Sequence, residues 1–262
     1  MANPDDSLSP DSVPDSQDWP DVVRRIRLRT PARVLSGRSG ASYLTKTQLD
    51  LRQAHAAARD AVRAELDLNK LGADFIKQWS LFEVTTEATS KEEYLLQPNL
   101  GRIFSESSRS ELLKRCPTTN DLQIAIGDGL SVTALYAQVP QLLPALCHGA
   151  RARGWSLGPV FVIRHCRVGI LNQIGDLLSP SVAILLIGER PGLAIAESLS
   201  AYMAYRPTSG HTDANRNLVS NIHVRGVSAS DAAVRILHLA ARMMKAKSSG
   251  TQLREEPPSL PE

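Results

Sequence analysis

The second half of the chain alternates short apolar runs with helical patterns. The clearest run is Val182–Ile187, six consecutive apolar residues that end at Gly188. A run of this length, rich in Ile and Leu, predicts a strand that is buried on both faces. Leu122–Ile126 and Val160–Ile163 predict two further strands, with helices between them. This order of strands and helices is typical of an α/β fold with a parallel sheet and right-handed crossovers.

The helical patterns flank these strands. Ser131 can cap a long helix, in which Pro140 and Pro144 predict a kink or a division into two helices. Further helices are predicted over Gln173–Leu178 and Asp231–Ala246, where apolar residues recur at helical spacing. Leu199–Tyr205 is a candidate for another strand.

The first half is predicted to be mainly helical, because an Ala-rich helix runs from Thr45 to Leu66 and another from Leu100 to Arg115. Short strands are predicted at Phe82–Thr86 and Tyr94–Gln97. Residues 1–20 and 251–262 are rich in Pro and polar residues and are expected to be disordered. The predicted organisation is a disordered leader (1–20), a mainly helical region (21–116), an α/β domain (117–250) and a disordered tail (251–262).

Composition limits the class of protein. Of 262 residues, 42% are hydrophobic and 22% are charged, which is ordinary for a globular protein. No apolar run approaches the ~20 residues that span a bilayer, and the acidic N-terminus does not resemble a secretion signal. The three cysteines lack C-x-x-C spacing, which fits a reducing compartment. We therefore expect a cytoplasmic protein without a membrane partner.

The charges are unevenly distributed. Residues 1–23 contain six Asp and no Lys or Arg, whereas residues 22–49 hold six Arg and one Lys without an acidic residue. A basic stretch of this kind, here Arg24–Lys46, either binds an acidic partner or is solvated. Because aromatic side chains for base stacking are scarce there, nucleic acid is not the expected partner.

The sequence gives little support for a dinucleotide-binding site or a metal site. Gly127-Asp-Gly129 follows a strand and begins a G-x-G pattern, but Val132 stands where a dinucleotide site needs its third Gly. A stand-alone oxidoreductase is therefore the weaker alternative. His165 and Cys166 are neighbours on a strand and point to opposite faces, so they do not share a metal ion. We assign no catalytic and no metal-ligating residue on this chain.

Two polar segments remain as candidate binding sites. Glu189 and Arg190 follow the strand Val182–Ile187, at the sheet edge where ligands of α/β proteins bind. Thr212–His223 is rich in amides and contains Arg216. Such a segment either recognises a ligand that carries amides and phosphate or forms a solvated turn.

Several motifs occur in a characteristic order along the chain. They are Ala32-Arg-Val-Leu-Ser-Gly-Arg-Ser-Gly40, Asp128-Gly-Leu-Ser131, Asp176-Leu-Leu, Gly188-Glu-Arg-Pro-Gly-Leu193, Glu197-Ser-Leu-Ser-Ala-Tyr202 and Asn215-Arg-Asn-Leu-Val-Ser-Asn-Ile-His223. In these motifs, and from about Ala32 to Gly250, the chain resembles the small (light) subunit family of ethanolamine ammonia-lyase.

The resemblance implies a function and a partner. It implies a Rossmann-like, mostly parallel sheet flanked by helices, preceded by a small helical region. A large TIM-barrel subunit would bind ethanolamine and host its radical conversion to acetaldehyde and ammonia. Adenosylcobalamin would lie between the subunits, in a hetero-oligomer of six large and six small chains. Its contacts on this chain would be Val168, Glu189 and Leu218.

Some features of the sequence depart from the family pattern. Leu218 stands where some relatives have Cys, which leaves only packing or backbone contact at this position. Asn215 replaces a frequent Asp, which removes one partner for Arg216. The chain lacks D-x-H-x-x-G, so a base-on cofactor is implied. A cobalamin carrier or sensor without a catalytic partner remains the alternative, and enclosure in a bacterial microcompartment stays open.

The basic stretch Arg24–Lys46 yields a prediction. If it docks on the large subunit, reversing the charges of Arg33 and Arg38 by substitution with Glu should weaken co-purification of the two subunits. Pull-down of a tagged large subunit measures the effect. Unchanged assembly would show that these charges do not contribute to docking.

Overall fold

The computed structural model describes residues 20–30, 34, 36–193 and 195–253. The predicted leader (except Pro20), residue Arg33 and the final nine residues of the predicted tail lie outside these ranges. The described residues form two units, one ending at Arg52 and the other beginning at Gln53. Within the described residues, no helix combines the length and apolarity needed to cross a bilayer.

The first unit is small and highly charged. It contains helix α1 (Asp21–Arg29), a two-stranded antiparallel hairpin of β1 (Arg38–Ser39) and β2 (Ser42–Tyr43), and the start of helix α2 (Thr45–Arg63). Arg38 is exposed, and its guanidinium lies 5.2 Å from the centre of the Tyr43 ring. A docking role for the basic stretch stays a prediction.

The second unit alternates helices and strands. Its strands are β3 (Phe82–Thr85), β4 (Leu122–Gly127), β5 (Phe161–Arg164), β6 (Val182–Gly188), β7 (Leu199–Tyr205) and β8 (Asn217–Ile222). Its helices after α2 are α3 (Ala73–Gln78), α4 (Lys91–Leu96), α5 (Glu106–Arg115), α6 (Val132–Ala152), α7 (Ile170–Leu178) and α8 (Ala229–Ala246).

The six strands form one mixed sheet in the order β3-β5-β4-β6-β7-β8. The first four strands of this order run parallel, and β7 and β8 are antiparallel to their neighbours. The predicted α/β class with a mostly parallel sheet is confirmed. The sheet also takes its edge strand β3 from the region predicted as mainly helical, and the boundary at residue 116 stays a prediction.

Helices cover both faces of the sheet, which explains the unbroken apolar runs. All seven residues of β6 are buried. Ile184 and Leu186 pack in one hydrophobic cluster with residues of α6 and α8. Ala183 and Leu185 point the other way, into a second cluster with residues of α5 and α7. A strand buried on both faces has no need of polar alternation.

The prediction of a strand at Tyr94–Gln97 is wrong, because Tyr94 to Leu96 form the end of α4 and Gln97 is its C-cap. The Ser90 hydroxyl caps this helix by accepting the Glu93 N–H at 3.2 Å. The Glu93 carboxylate in turn accepts the Thr89 N–H at 2.8 Å and its hydroxyl at 2.7 Å. This S-x-x-E pattern is a helix start signal that is visible in the sequence.

Three other elements differ from expectation. The helix expected over Leu100–Arg115 is divided into a 3₁₀ turn, Leu100–Arg102, and α5. Helix α6 continues through Pro140 and Pro144 without division. The polar segment at Thr212–His223 contains β8, an outer strand of the sheet, whose polar residues face away from the core while Val219 and Ile222 are buried.

The packing of α7 can be tested at Gly175. A Cβ atom built there lies 1.7 Å from the Pro207 carbonyl oxygen. Gly175→Ala should therefore lower the free energy of unfolding by about 2 kcal/mol through overpacking, although Ala is the better helix former. Gly210→Ala is the matched control, because no atom lies within 4 Å of its Cβ position. Urea denaturation measures both, and equal stability of the two variants would contradict the packing.

Candidate functional site

The candidate site lies at the carboxyl ends of the parallel strands. Segments that follow β4, β5 and β6 meet there, beside facing residues of β7 and β8. They line a cavity of about 250 Å³, which we call the edge cavity. Val168, Glu189 and Leu218 all line it, together with Tyr202. The structure thus brings together the three residues that the resemblance selected, which are far apart in sequence.

Apolar side chains form part of the wall. Leu218 is 41% exposed, although it lies in the middle of β8. It pairs across the sheet with Tyr202 of β7, so the two side chains lie on the same face. Val168 is half-buried in the turn before α7. An exposed Leu beside these residues offers a contact surface for an apolar ligand.

Glu189 is already bound within the fold. Its carboxylate accepts hydrogen bonds from the Ser198 hydroxyl at 2.7 Å, from the Ser200 hydroxyl, and from the Asn221 N–H at 3.1 Å. A carboxylate has about four lone-pair positions, so about one remains for a ligand. Glu189 therefore holds the ends of β6, β7 and β8 together and also faces the edge cavity.

Two roles are open for Arg190, a ligand contact and an ion pair that holds the turn. Its side chain is exposed and lines the edge cavity. It forms no ion pair or hydrogen bond with any residue in the ranges that the structure describes.

A buried carboxylate fixes the turn that carries Val168. Asp128 is fully buried and accepts the His165 N–H at 2.9 Å and the Cys166 N–H at 2.7 Å. The Lys91 ammonium lies 3.5 Å from the same carboxylate and is itself buried. His165 has a positive φ of 58°, a conformation that needs such support. In the sequence, Asp128 stands out only as part of a motif, and no pattern points to Lys91.

The Gly127-Asp-Gly129 pattern has a structural explanation. Gly129 has a φ of 55°, and a Cβ atom there would lie 2.3 Å from the Gly188 carbonyl oxygen. The same oxygen accepts the Leu130 N–H at 3.1 Å. Gly129 thus allows the segment after β4 to approach the end of β6 closely, and a Cβ atom at Gly127 would lie 2.6 Å from Cys166 Sγ. This accounts for the pattern without a dinucleotide.

Two titratable side chains that line the edge cavity, Cys166 and Tyr94, stay protonated at neutral pH. Burial raises the pKa of the Cys166 thiol well above its ordinary value, and the Asp128 carboxylate acts in the same direction. Burial also raises the pKa of Tyr94, whose hydroxyl donates to the Cys166 carbonyl at 2.9 Å. These groups therefore contribute packing and hydrogen bonds. The arrangement is suited to binding a ligand.

A second, larger cavity of about 800 Å³ adjoins the edge cavity. We call it the basic cavity, since Arg102, Arg167 and Arg216 line it. Arg167 and Val168, like Tyr202, line both cavities. Of these three arginines, only Arg216 is a candidate from the sequence, and Arg102 and Arg167 are not. Their convergence depends on the placement of the loops, which no local pattern reveals.

Comparison with known proteins agrees with the motifs. Residues 20–254 match the family model described as "Ethanolamine ammonia-lyase light chain". The chain is 40% identical to the ethanolamine ammonia-lyase small subunit of Clostridium perfringens over 229 residues. These aligned residues make up 87% of this chain and 76% of that protein. The small subunit of Fusobacterium nucleatum is 40% identical over 230 residues, 88% of this chain and 76% of that protein. The small subunit of Clostridium acetobutylicum is 39% identical over 232 residues, which are 88% of this chain and 94% of that protein.

The structural role of Glu189 yields a prediction. Glu189→Ala leaves two serine hydroxyls and the Asn221 N–H without their acceptor, so it should lower the free energy of unfolding by roughly 2 kcal/mol. Glu189→Gln should cost less, because its amide can both accept from and donate to hydroxyl groups. Arg190→Ala is the neighbouring control, with little expected change. A Glu189→Ala variant as stable as the parent chain would contradict the role of this carboxylate.

Proposed function

The chain belongs to the ethanolamine ammonia-lyase light-chain family, and from this premise we propose that it binds adenosylcobalamin against a large subunit. The complete enzyme converts ethanolamine to acetaldehyde and ammonia, and adenosylcobalamin supplies the radical chemistry. This chain contributes binding, orientation and assembly. The observation that carries the proposal is the common placement of Val168, Glu189 and Leu218 on the edge cavity.

The chemistry of the edge cavity fits a corrinoid. A corrin ring is broad and apolar, and its rim carries amide groups that donate and accept hydrogen bonds. Leu218 and Val168 provide apolar contact, and the free lone pair of Glu189 can accept from an amide N–H. Ser200 and Tyr202 line the same cavity. The Tyr202 hydroxyl can bond to rim amides, whereas the Ser200 hydroxyl, which donates to Glu189, can only accept from them.

The size of the edge cavity supports a shared site. Its volume of about 250 Å³ is below the roughly 300–1,000 Å³ of pockets that enclose a drug-sized ligand. A corrinoid is larger still. The chain therefore offers one wall of a site, and a second subunit has to cover the opposite face of the ligand.

Finer features of the assembly rest on family resemblance. We propose a hetero-oligomer of six large and six small subunits, and a base-on cofactor because the chain lacks the D-x-H-x-x-G motif. A Rossmann-like cobalamin-binding domain over 117–250 belongs to the same proposal. Location in the cytoplasm is proposed on the same ground, and enclosure in a bacterial microcompartment stays open.

Leu218 allows a direct test. Leu218→Asp removes apolar contact and adds a charge to the wall, so it should raise the Kd of the two-subunit complex for cobalamin about tenfold or more. Because Leu218 is exposed, the fold should persist. Leu113→Asp on α5 is the matched control, since Leu113 is 56% exposed and outside both cavities.

Spectroscopic titration with cobalamin measures the binding, and circular dichroism checks the fold. Equal affinity of the Leu218→Asp and Leu113→Asp complexes would contradict the assignment of the wall. Tight binding by the small subunit alone, unchanged when the large subunit is added, would instead support a carrier or sensor.

A further inference from the structure

The basic cavity concentrates positive charge on one ligand-sized space. Three arginines, Arg102, Arg167 and Arg216, line it, with Asp213 as the one acidic residue among its described lining residues. Asp213 already forms an ion pair with Arg216. The Asp213 carboxylate therefore offsets one arginine and leaves the other two uncompensated within the lining.

The same cavity holds unsatisfied polar atoms. Five buried side-chain nitrogen or oxygen atoms lack a hydrogen-bond partner among the described residues, and three of them belong to this lining: Arg167 Nε, His211 Nδ1 and Arg216 Nε. A buried polar group without a partner costs about 1–3 kcal/mol, so native proteins rarely keep several together. Both arginine nitrogens are donors, so the missing partner is an acceptor.

Arg216 is the most constrained of these side chains. It is only 6% exposed, and besides Asp213 it donates from Nη2 to the Asn172 side-chain oxygen at 2.9 Å. Burial lowers the pKa of Arg216, and the nearby Arg102 guanidinium acts in the same direction. Two guanidinium groups repel each other. The placement of Arg102 near the buried Arg216 is therefore favourable only if a negatively charged group binds between them.

The first turn of α7 reinforces this preference. Gly169, Asn172 and Gln173 line the basic cavity at the amino end of this nine-residue helix. The amino end of a helix carries a partial positive charge and favours anions. The stem of Arg102 packs on Gly169, where an added Cβ would lie 2.9 Å from Arg102 Cγ and Cδ. That contact holds Arg102 beside the helix end.

We propose that the basic cavity binds a phosphodiester, which in the assembled enzyme is the phosphate of the nucleotide tail of cobalamin. The identification of the source rests on the proposed function. Because Arg167, Val168 and Tyr202 line both cavities, the nucleotide tail of a corrinoid bound at the edge cavity can enter the basic cavity. Arginine forks bind phosphate oxygens through paired charge-assisted hydrogen bonds. Free phosphate is the other source of the same chemistry.

The test compares two corrinoids. Cobinamide retains the corrin ring but lacks the nucleotide tail and its phosphate. In the complex with the large subunit, Arg102→Gln and Arg216→Gln should each raise the Kd for cobalamin about tenfold and leave the Kd for cobinamide within about twofold. Arg151→Gln, an exposed arginine outside both cavities, should change neither value. Spectroscopic titrations at one fixed ionic strength give these values.

Two variants are tested so that misfolding of one of them does not decide the result. Arg216→Gln removes buried contacts, whereas Arg102 is exposed and can be replaced with less risk to the fold. The phosphorus NMR resonance of bound cobalamin gives a second measurement. It should shift on binding to the parent complex and return towards its free position in the Arg102→Gln complex.

The other possible results would contradict the phosphate assignment, its source or the proposed function. Equal weakening of cobalamin and cobinamide would show that the arginines act on the ring or the fold, and would overturn the phosphate assignment. Inorganic phosphate that stabilises the parent chain but not Arg216→Gln, together with equal weakening of both corrinoids, would make this a free-phosphate site. Failure of the parent complex to bind either corrinoid would instead refute the proposed function, and with it the cofactor as the source.

Discussion

The buried carboxylate of Asp128 is the constraint on which the binding edge depends. It lies just after β4 and holds the backbone that follows β5, through the N–H groups of His165 and Cys166. A buried charge is tolerated only when it is paired and hydrogen-bonded, and the Lys91 ammonium provides the pairing. The next two residues, Arg167 and Val168, line both cavities. The Asp128 carboxylate, paired with Lys91, thus fixes the turn where the two cavities meet.

Glu189 is a second carboxylate that holds the binding edge together, at the ends of β7 and β8. Three hydrogen bonds from Ser198, Ser200 and Asn221 tie its carboxylate to the ends of β7 and β8. The family resemblance implies that Glu189 contacts the cofactor, whereas the structure shows a carboxylate that is mostly occupied by the fold. Its substitution therefore mixes a stability effect with any binding effect. Leu218, which is exposed, separates the two more cleanly.

Sequence patterns predicted the centre of the sheet well and its periphery less well. The runs at Val182–Ile187 and Leu122–Ile126 are buried on both faces, so composition alone marks them as strands. Strand β8 was missed because an outer strand presents polar residues to solvent, and its sequence resembles a loop. Helix α4 was missed although Ser90 and Glu93 carried a capping signal.

The site was only partly predictable for a different reason. Motif resemblance selected Val168, Glu189 and Leu218, but it could not show that the fold already uses Glu189. Lys91 and Asp128 are far apart in sequence, as are Arg102 and Arg216, and only the tertiary structure brings each pair to one place.

The central claim is that the carboxyl edge of the parallel strands is the cobalamin-binding wall of this subunit. A cryo-electron microscopy structure of the two-subunit complex with bound cobalamin tests it most directly. The account predicts corrin atoms within about 4 Å of Val168, Glu189 and Leu218. A corrin ring that touches this chain elsewhere, with the edge cavity uncovered, would contradict it.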